Sequence, residues 1–265
     1  MTHQRLDFFL LAMDQLVNSA AKWNYMFGGN TPIPITIRLI LGRGWGQGPT
    51  HSQNLQAWFA HIPGLKVVMP STPYDAKGLL IQSIRDKNPV IFVEHRMLYK
   101  NAGYVPSDTY EIQFGKGRVL REGNDITIVG VSHSVEDSLR AADLLKEVGV
   151  NSEVIDPISL SPIDNKIIRD SVNKTKKLLV VDNGWMTCGF SAEIIADIAV
   201  HCENISCQRL GFSDTPCPTT PTLEKYFYPN PQSIAKKANE MCGGDSKWSP
   251  PEVVQHEILS FKGPF

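Results

Sequence analysis

Short apolar segments alternate with amphipathic helical segments along most of the chain, and this alternation constrains the fold more than any other feature. Up to residue 100 it predicts helices over residues 8–27, 52–61 and 71–85 and strands over 33–41, 65–69 and 89–93. After residue 113 it predicts strands over residues 125–131, 152–155, 177–181 and 206–210, separated by helices over 135–148, 164–172 and 191–201. Strands that alternate with helices predict a parallel α/β sheet.

A polar stretch between the two halves, from about residue 100 to 113, lacks periodicity and marks the boundary. We therefore predict two open, mostly parallel three-layer α/β/α domains over residues 1–112 and 113–243, followed by a tail over 244–265. Pro and Gly punctuate the tail, which is expected to be poorly ordered. The helix predicted at residue 8 has no strand before it, with Asp7 as a candidate N-cap. The first domain is therefore expected to be incomplete, as in an N-terminally truncated chain.

Charge and cysteine content exclude several classes of function. The 26 Lys plus Arg and 27 Asp plus Glu give a formal net charge of -1, so no basic surplus favours nucleic acid as a partner. No apolar run is long enough to cross a membrane, and the first residues lack the layout of a signal peptide. The cysteines number 5, an odd count without a C-x-x-C motif, which predicts reduced thiols in a cytoplasmic protein.

A glycine-rich loop follows the strand predicted over residues 33–41 and is the densest site candidate. Gly42, Gly44, Gly46 and Gly48 alternate there, and His51 follows them where the next helix is predicted to begin. Ligands of open α/β sheets bind beyond the carboxyl ends of the strands. A histidine at such a place can exchange a proton near neutral pH. The alternative is that the glycines only form a turn and that His51 caps a helix.

Two other features carry weaker signals. Residues 83–89 join a helix to a strand, and carbonyl oxygens at a helix C-terminus can bind a monovalent cation, although an ordinary connection is the commoner meaning. His61, His95 and His133 stand singly beside apolar segments and are predicted to be structural residues.

Eight longer segments carry a resemblance to a known family. They cover residues 14–22, 25–29, 51–53, 57–68, 70–78, 84–90, 154–164 and 178–185, and include Asp14-Gln-Leu-Val-Asn-Ser-Ala-Ala-Lys22. Together they resemble the beta subunits of thiamine-diphosphate-dependent 2-oxoacid dehydrogenases, within the wider transketolase group. Pyruvate, branched-chain 2-oxoacid and acetoin dehydrogenases belong there. The resemblance implies an incomplete thiamine-diphosphate pyrimidine-binding domain followed by a transketolase C-terminal-like domain.

The resemblance also implies a cofactor and the residues that hold it. In that family an alpha-type chain holds the diphosphate and magnesium, and a beta-type chain holds the aminopyrimidine. By position, Phe8 matches the aromatic residue that packs on the pyrimidine ring, and His51 matches the histidine that faces the reactive thiazolium carbon. A structural potassium site is matched by the carbonyls of Ile35, Ser83, Ile84, Asp86 and Asn88.

The activity implied is the oxidative decarboxylation of a 2-oxoacid with acyl transfer to lipoamide. The partners implied are an alpha-type chain, a second beta-type chain and a lipoyl acyltransferase core. Family members carry, before the position that matches Met1, a glutamate that bonds the pyrimidine ring and activates the coenzyme. Neither Asp7 nor Asp14 matches it, so the isolated chain is expected to be inactive. Two alternatives stay open: a non-catalytic truncated subunit that keeps the fold and dimer surfaces, or a section of a transketolase-like ketol transferase.

Overall fold

Within residues 1–43 and 46–253, which the computed structural model describes, the chain forms two five-stranded sheets. The first sheet has the spatial order β1-β2-β4-β3-β8, and only β8 runs antiparallel to its neighbour. Its strands are β1 (Thr2–His3), β2 (Thr36–Leu41), β3 (Lys66–Val68), β4 (Val90–His95) and β8 (Ser159–Ser161). Every residue of β4 is buried, as is typical of a central parallel strand covered on both faces.

The second sheet has the spatial order β10-β9-β6-β7-β5, and here β5 is the antiparallel strand. Its strands are β5 (Arg118–Arg121), β6 (Ile126–Gly130), β7 (Ser152–Asp156), β9 (Lys177–Trp185) and β10 (Ser206–Phe212). The two mostly parallel sheets confirm the fold class that the alternation predicts.

Helices connect the strands of both sheets. They are α1 (Ala21–Met26), α2 (Gly48–His51), α3 (Gln56–Ala60), α4 (Pro73–Arg85), α5 (His133–Glu147), α6 (Asn165–Thr175), α7 (Phe190–His201), α8 (Pro221–Glu224) and α9 (Pro231–Met241). A tight 3₁₀ segment, Leu6–Ala12, and a wider π segment, Gln15–Ala20, run into α1. We call these three segments together the N-terminal helix. No helix in the described part of the chain is both long and apolar enough to cross a bilayer.

The start of the chain differs from the prediction in two ways. A strand does precede the first helix, because Thr2 and His3 pair in parallel with Arg38 and Leu39 of β2. Asp7 is not an N-cap: Arg5 occupies the N-cap position, and Asp7 lies in the first helical turn.

Several elements were not predicted from the sequence, among them β5, β8 and α9. The strands β5 and β8 are short and lie at sheet edges, where neither apolar alternation nor full burial marks them. The helix α9 carries a signal that could have revealed it: the Asn230 side chain accepts from the backbone N–H of Ser233, and the Ser233 hydroxyl accepts from the backbone N–H of Asn230. Such a capping box, followed by Pro231 at the first helical position, is typical of a helix start.

Contacts between the two halves are extensive. β8 belongs to the second half of the sequence, yet it pairs with β3 of the first sheet. One cluster of buried apolar side chains also draws on both halves, with Leu39 and Phe59 from the first and Val180 and Phe190 from the second. Shared packing of this kind fixes the orientation of the first sheet's carboxyl edge relative to the second half.

Candidate active site

The N-terminal helix presents two neighbouring side chains beside the carboxyl edge of the first sheet. Leu6 and Phe9, three residues apart, are buried on its inner face, and Phe9 packs against Phe59 with ring centroids 6.0 Å apart. This anchoring holds Asp7 and Phe8 in the intervening positions. The Phe8 ring stays 50% exposed, whereas the side chain of Asp7 is only 7% exposed.

His51 reaches the same place from the glycine-rich loop. Gly46 and Gly48 have φ angles of +70° and +66°. This backbone conformation is unfavourable for residues that have a Cβ atom. Both glycines approach Thr219 of the second half, and a Cβ on Gly46 would lie 3.0 Å from its carbonyl oxygen. Gly44 and Trp45 lie outside the described residues. The loop therefore packs against protein at Gly46 and Gly48, and α2 carries His51 as its last residue.

The prediction of a helix over residues 52–61 is wrong in its first half. His51 ends the short helix α2, and α3 begins only at Gln56. Buried amides in this segment bond to the second half instead: Asn54 Nδ2 donates to the Asn183 carbonyl at 2.8 Å, and Gln56 Nε2 donates to Asp182 Oδ1 at 3.2 Å. These tertiary hydrogen bonds outweigh the helix propensity of the segment. They also hold the residues that follow His51 against the second half.

His51, Asp7 and Phe8 form one cluster. His51 Nδ1 lies 2.9 Å from Asp7 Oδ2, and the rings of His51 and Phe8 are tilted, with centroids 5.4 Å apart. The His51 side chain is 32% exposed, so the ring has protein on one side and an open surface on another. The structure thus brings together both residues that the resemblance assigned to the cofactor, and adds Asp7, which sequence reasoning missed.

The surface around this cluster fits a flat aromatic ring. Leu11, one helical turn beyond Phe8, is 91% exposed, so the N-terminal helix leaves two large apolar side chains open to solvent, of which Phe8 lies beside the His51 imidazole. Apolar side chains beside a polar group capable of proton exchange suit a planar heteroaromatic ring. The Phe8 ring beside the His51 imidazole therefore has the chemistry to hold a pyrimidine ring.

The predicted potassium residues lie near one another in the structure. The Ile35 carbonyl accepts from the Val90 N–H at 2.9 Å, and the Ser83 carbonyl accepts from the Asp86 N–H at 3.3 Å. The Asp86 carboxylate accepts from the Asn88 N–H at 2.8 Å and pairs with Lys66. These contacts hold the turn at residues 83–88 in place. Ile84, in the same turn, is 65% exposed. Binding of potassium at these carbonyls stays a prediction.

Of the three histidines predicted to be structural residues, two are buried and one is exposed. The buried rings of His95 and His133 stack with centroids 4.8 Å apart, and burial, with the nearby cations, holds the pKa of His95 well below its usual value. His61 is exposed at the end of α3. All five cysteines, which lie in the described part of the chain, are free thiols. Nowhere in that part do three or more His, Cys, Asp or Glu side chains gather as a metal site would require.

A buried carboxylate links the two halves of the chain. Asp156, at the end of β7, accepts a hydrogen bond from the Ser71 hydroxyl of the first half and another from the Ile158 N–H at 2.8 Å. Its side chain is fully buried. Burial outweighs these hydrogen bonds and raises the pKa of Asp156 to about 6.

Each half of the chain matches the model of a known protein family. Residues 1–101 match the model of the transketolase pyrimidine-binding domain, and residues 115–234 match the model of the transketolase C-terminal domain. A solved structure described as a split gene transketolase, inactive beta4 tetramer, matches with a TM-score of 0.76 over 91% of this chain and 75% of that chain, at 20% sequence identity. The fold and the site therefore define a chain of the transketolase type.

Curated relatives narrow the class. The chain is 41% identical over 240 residues to the acetoin:2,6-dichlorophenolindophenol oxidoreductase subunit beta of Bacillus subtilis strain 168, covering 89% of this chain and 70% of the relative. It is 42% identical over 238 residues to the mitochondrial pyruvate dehydrogenase E1 component subunit beta of Caenorhabditis elegans, with 87% and 68% covered. It is 39% identical over 244 residues to the 2-oxoisovalerate dehydrogenase subunit beta of Bacillus subtilis strain 168, with 90% and 75% covered. The chain belongs to the family of beta subunits of thiamine-diphosphate-dependent 2-oxoacid dehydrogenases.

Proposed function

We propose that this chain works with an alpha-type chain in the oxidative decarboxylation of a 2-oxoacid, with transfer of the acyl group to lipoamide. The observation that carries the proposal is the contact of the exposed Phe8 with the partly exposed His51 beside the carboxyl edge of the first sheet. The bound coenzyme supplies the carbon nucleophile for the keto group and accepts the electrons released with carbon dioxide.

The residues of this chain have distinct roles in the proposal. Phe8 packs against the pyrimidine ring and excludes water from it. His51 exchanges a proton next to the reacting carbon, a task for which an imidazole is suited near neutral pH. The buried amides of Asn54 and Gln56 hold the segment after His51 against the second half, which keeps the imidazole in place.

The other components come from partners or from the loop at the opposite end of the sheet. We propose that the alpha-type chain holds the diphosphate and magnesium, and that a potassium ion binds the carbonyls around residues 83–88. A second beta-type chain and a lipoyl acyltransferase core complete the proposed assembly. The five free thiols support a reducing compartment such as the cytoplasm.

A turnover assay tests the proposal. The complete assembly, made of the beta-type polypeptide and its alpha-type chain, is supplied with thiamine diphosphate, magnesium and an artificial electron acceptor. Pyruvate, 2-oxoisovalerate and acetoin are compared as substrates. We expect release of carbon dioxide from at least one 2-oxoacid, because the family's coenzyme chemistry acts on a 2-keto group.

A polypeptide of these 265 residues alone is the matched sample. We expect it to show no turnover, since the resemblance places the activating glutamate outside this sequence. Turnover by this sample would refute the need for that glutamate. Ketol transfer by the complete assembly, without decarboxylation of any 2-oxoacid, would favour the transketolase-like alternative. Inactivity of the complete assembly in both reactions would favour a non-catalytic subunit.

A further inference from the structure

The contact between His51 and Asp7 joins residues from two separate elements. Asp7 lies in the first turn of the N-terminal helix and His51 ends α2, and their side chains meet at 2.9 Å. The Asp7 side chain is 7% exposed and that of His51 is 32% exposed. The carboxylate is thus the inner partner and the imidazole the outer one.

Elementary chemistry assigns the proton in this contact. An ionised carboxylate can only accept hydrogen bonds, so His51 Nδ1 must carry a hydrogen and donate it. In the neutral imidazole the other nitrogen, Nε2, then holds a lone pair and can accept a proton. A free neutral histidine in water prefers the opposite tautomer, with hydrogen on Nε2. Asp7 therefore reverses the natural tautomer preference of this imidazole.

The setting of Asp7 supports this assignment. The N-terminal turn of a helix favours a negative charge, because the backbone N–H groups there lack partners within the helix. Hydrogen bonds to an ionised acceptor are also stronger and shorter than neutral ones. Leu6 and Phe9, buried on either side of the Asp7–Phe8 pair, limit the movement of the carboxylate. The contact is held by packing as well as by attraction.

We propose that Asp7 is the positioning residue of His51: it holds the ring in the Nδ1–H tautomer and leaves Nε2 to exchange a proton with the reacting groups. The tautomer assignment stands on the geometry alone, whereas its effect on turnover rests on the proposed function. Asp7 does not replace the activating glutamate of the family, because it bonds to the histidine.

Nitrogen NMR of the 265-residue polypeptide tests the tautomer directly. Histidine-labelled wild type, Asp7→Asn and Asp14→Asn are compared at a pH where the imidazoles are neutral, with His51→Gln used to assign the signals. We expect His51 to be Nδ1–H in the wild type and in Asp14→Asn, and to shift toward Nε2–H in Asp7→Asn. Asp14 is the matched control because it lies on the same helix but bonds Asn18 at 2.7 Å. The same tautomer in wild type and Asp7→Asn would overturn the proposal.

Kinetics of the complete assembly test the effect on turnover. Asp7→Asn is expected to lower kcat by about 10²-fold, the lower end of what general acid–base catalysis contributes, with KM and the midpoint of thermal unfolding nearly unchanged. Asp7→Glu, which retains a carboxylate, is expected to recover part of the loss. A parallel fall in kcat and thermal stability in both variants would assign Asp7 a purely structural role and overturn the proposal. If the wild-type assembly decarboxylates nothing, the proposed function fails while the NMR result still decides the tautomer.

Discussion

His51→Ala in the complete assembly is expected to lower kcat by about 10²- to 10⁴-fold, the usual contribution of a group that transfers a proton in the rate-limiting step. The thermal unfolding midpoint should change little, because the side chain is partly exposed and lies at a surface. Its two described contacts are the Asp7 carboxylate and the Phe8 ring. Steady-state kinetics with the preferred 2-oxoacid and differential scanning calorimetry measure the two quantities on the same sample.

His61→Ala provides the matched control for this substitution. His61 is also a histidine near the end of a short helix, and it is exposed, but it has no place in the proposed site. We expect wild-type turnover from this variant. If His51→Ala lost activity only in proportion to its lost stability, His51 would be a structural residue and the proposed site would be wrong.

Asp156→Asn is expected to change how the stability of the chain depends on pH. Burial raises the pKa of Asp156 from 3.8 to about 6 in the folded chain. Below about pH 3 the carboxyl is protonated in both the folded and unfolded chains, and its contribution to stability is fully present. Between about pH 4 and 6 the unfolded chain releases the proton first, so stability falls as pH rises. The pKa difference corresponds to a loss of about 3 kcal/mol.

The asparagine variant removes this titration while retaining the size of the side chain. Its amide oxygen can still accept from the Ile158 N–H, and the Ser71 hydroxyl can reverse to accept from the amide nitrogen. We expect the free energy of unfolding of Asp156→Asn, relative to wild type, to rise by about 2 kcal/mol between pH 4 and 7.5, because part of the loss has already occurred at pH 4. Urea unfolding at several pH values measures this difference.

Asp170→Asn serves as the comparison variant for this effect. Its side chain is 62% exposed and pairs with Lys166 on the same helix, so removing its charge should leave the pH dependence close to that of wild type. Stability curves for Asp156→Asn and wild type that run parallel from pH 4 to 7.5 would show that Asp156 keeps an ordinary titration in the folded chain.

The spacing of the apolar residues along the sequence predicted much of the fold. The buried strands β2, β4, β6 and β9 and the longer helices α4, α5 and α7 have strong patterns, because one or both faces of each lie against a core. The edge strands β5 and β8 were not predicted, because an edge strand buries fewer side chains than a central strand and so has a weaker apolar pattern. The helix predicted over 52–61 is wrong in its first half for a different reason, since polar residues there bond to partners far away in sequence.

The site was predictable in part. Position in the glycine-rich loop and the resemblance both identified His51, and the resemblance alone identified Phe8. Asp7 was not found, because 44 positions separate it from His51 and only the packed N-terminal helix brings the two side chains together. Sequence motifs and apolar spacing describe residues that are close in sequence, so they do not reveal a contact between residues this far apart. The domain limits predicted at residues 112 and 243 stay predictions, because β8 and the shared core join the two halves.

A structure of the complete assembly with thiamine diphosphate bound is the most direct test of the claim that His51 and Phe8 face the coenzyme. We expect the Phe8 ring to pack on the pyrimidine and His51 Nε2 to lie beside the thiazolium carbon, within hydrogen-bond reach of a bound 2-oxoacid, about 2.6–3.2 Å. The alpha-type chain should hold the diphosphate. A coenzyme whose rings lie elsewhere, with His51 covered only by protein, would contradict it.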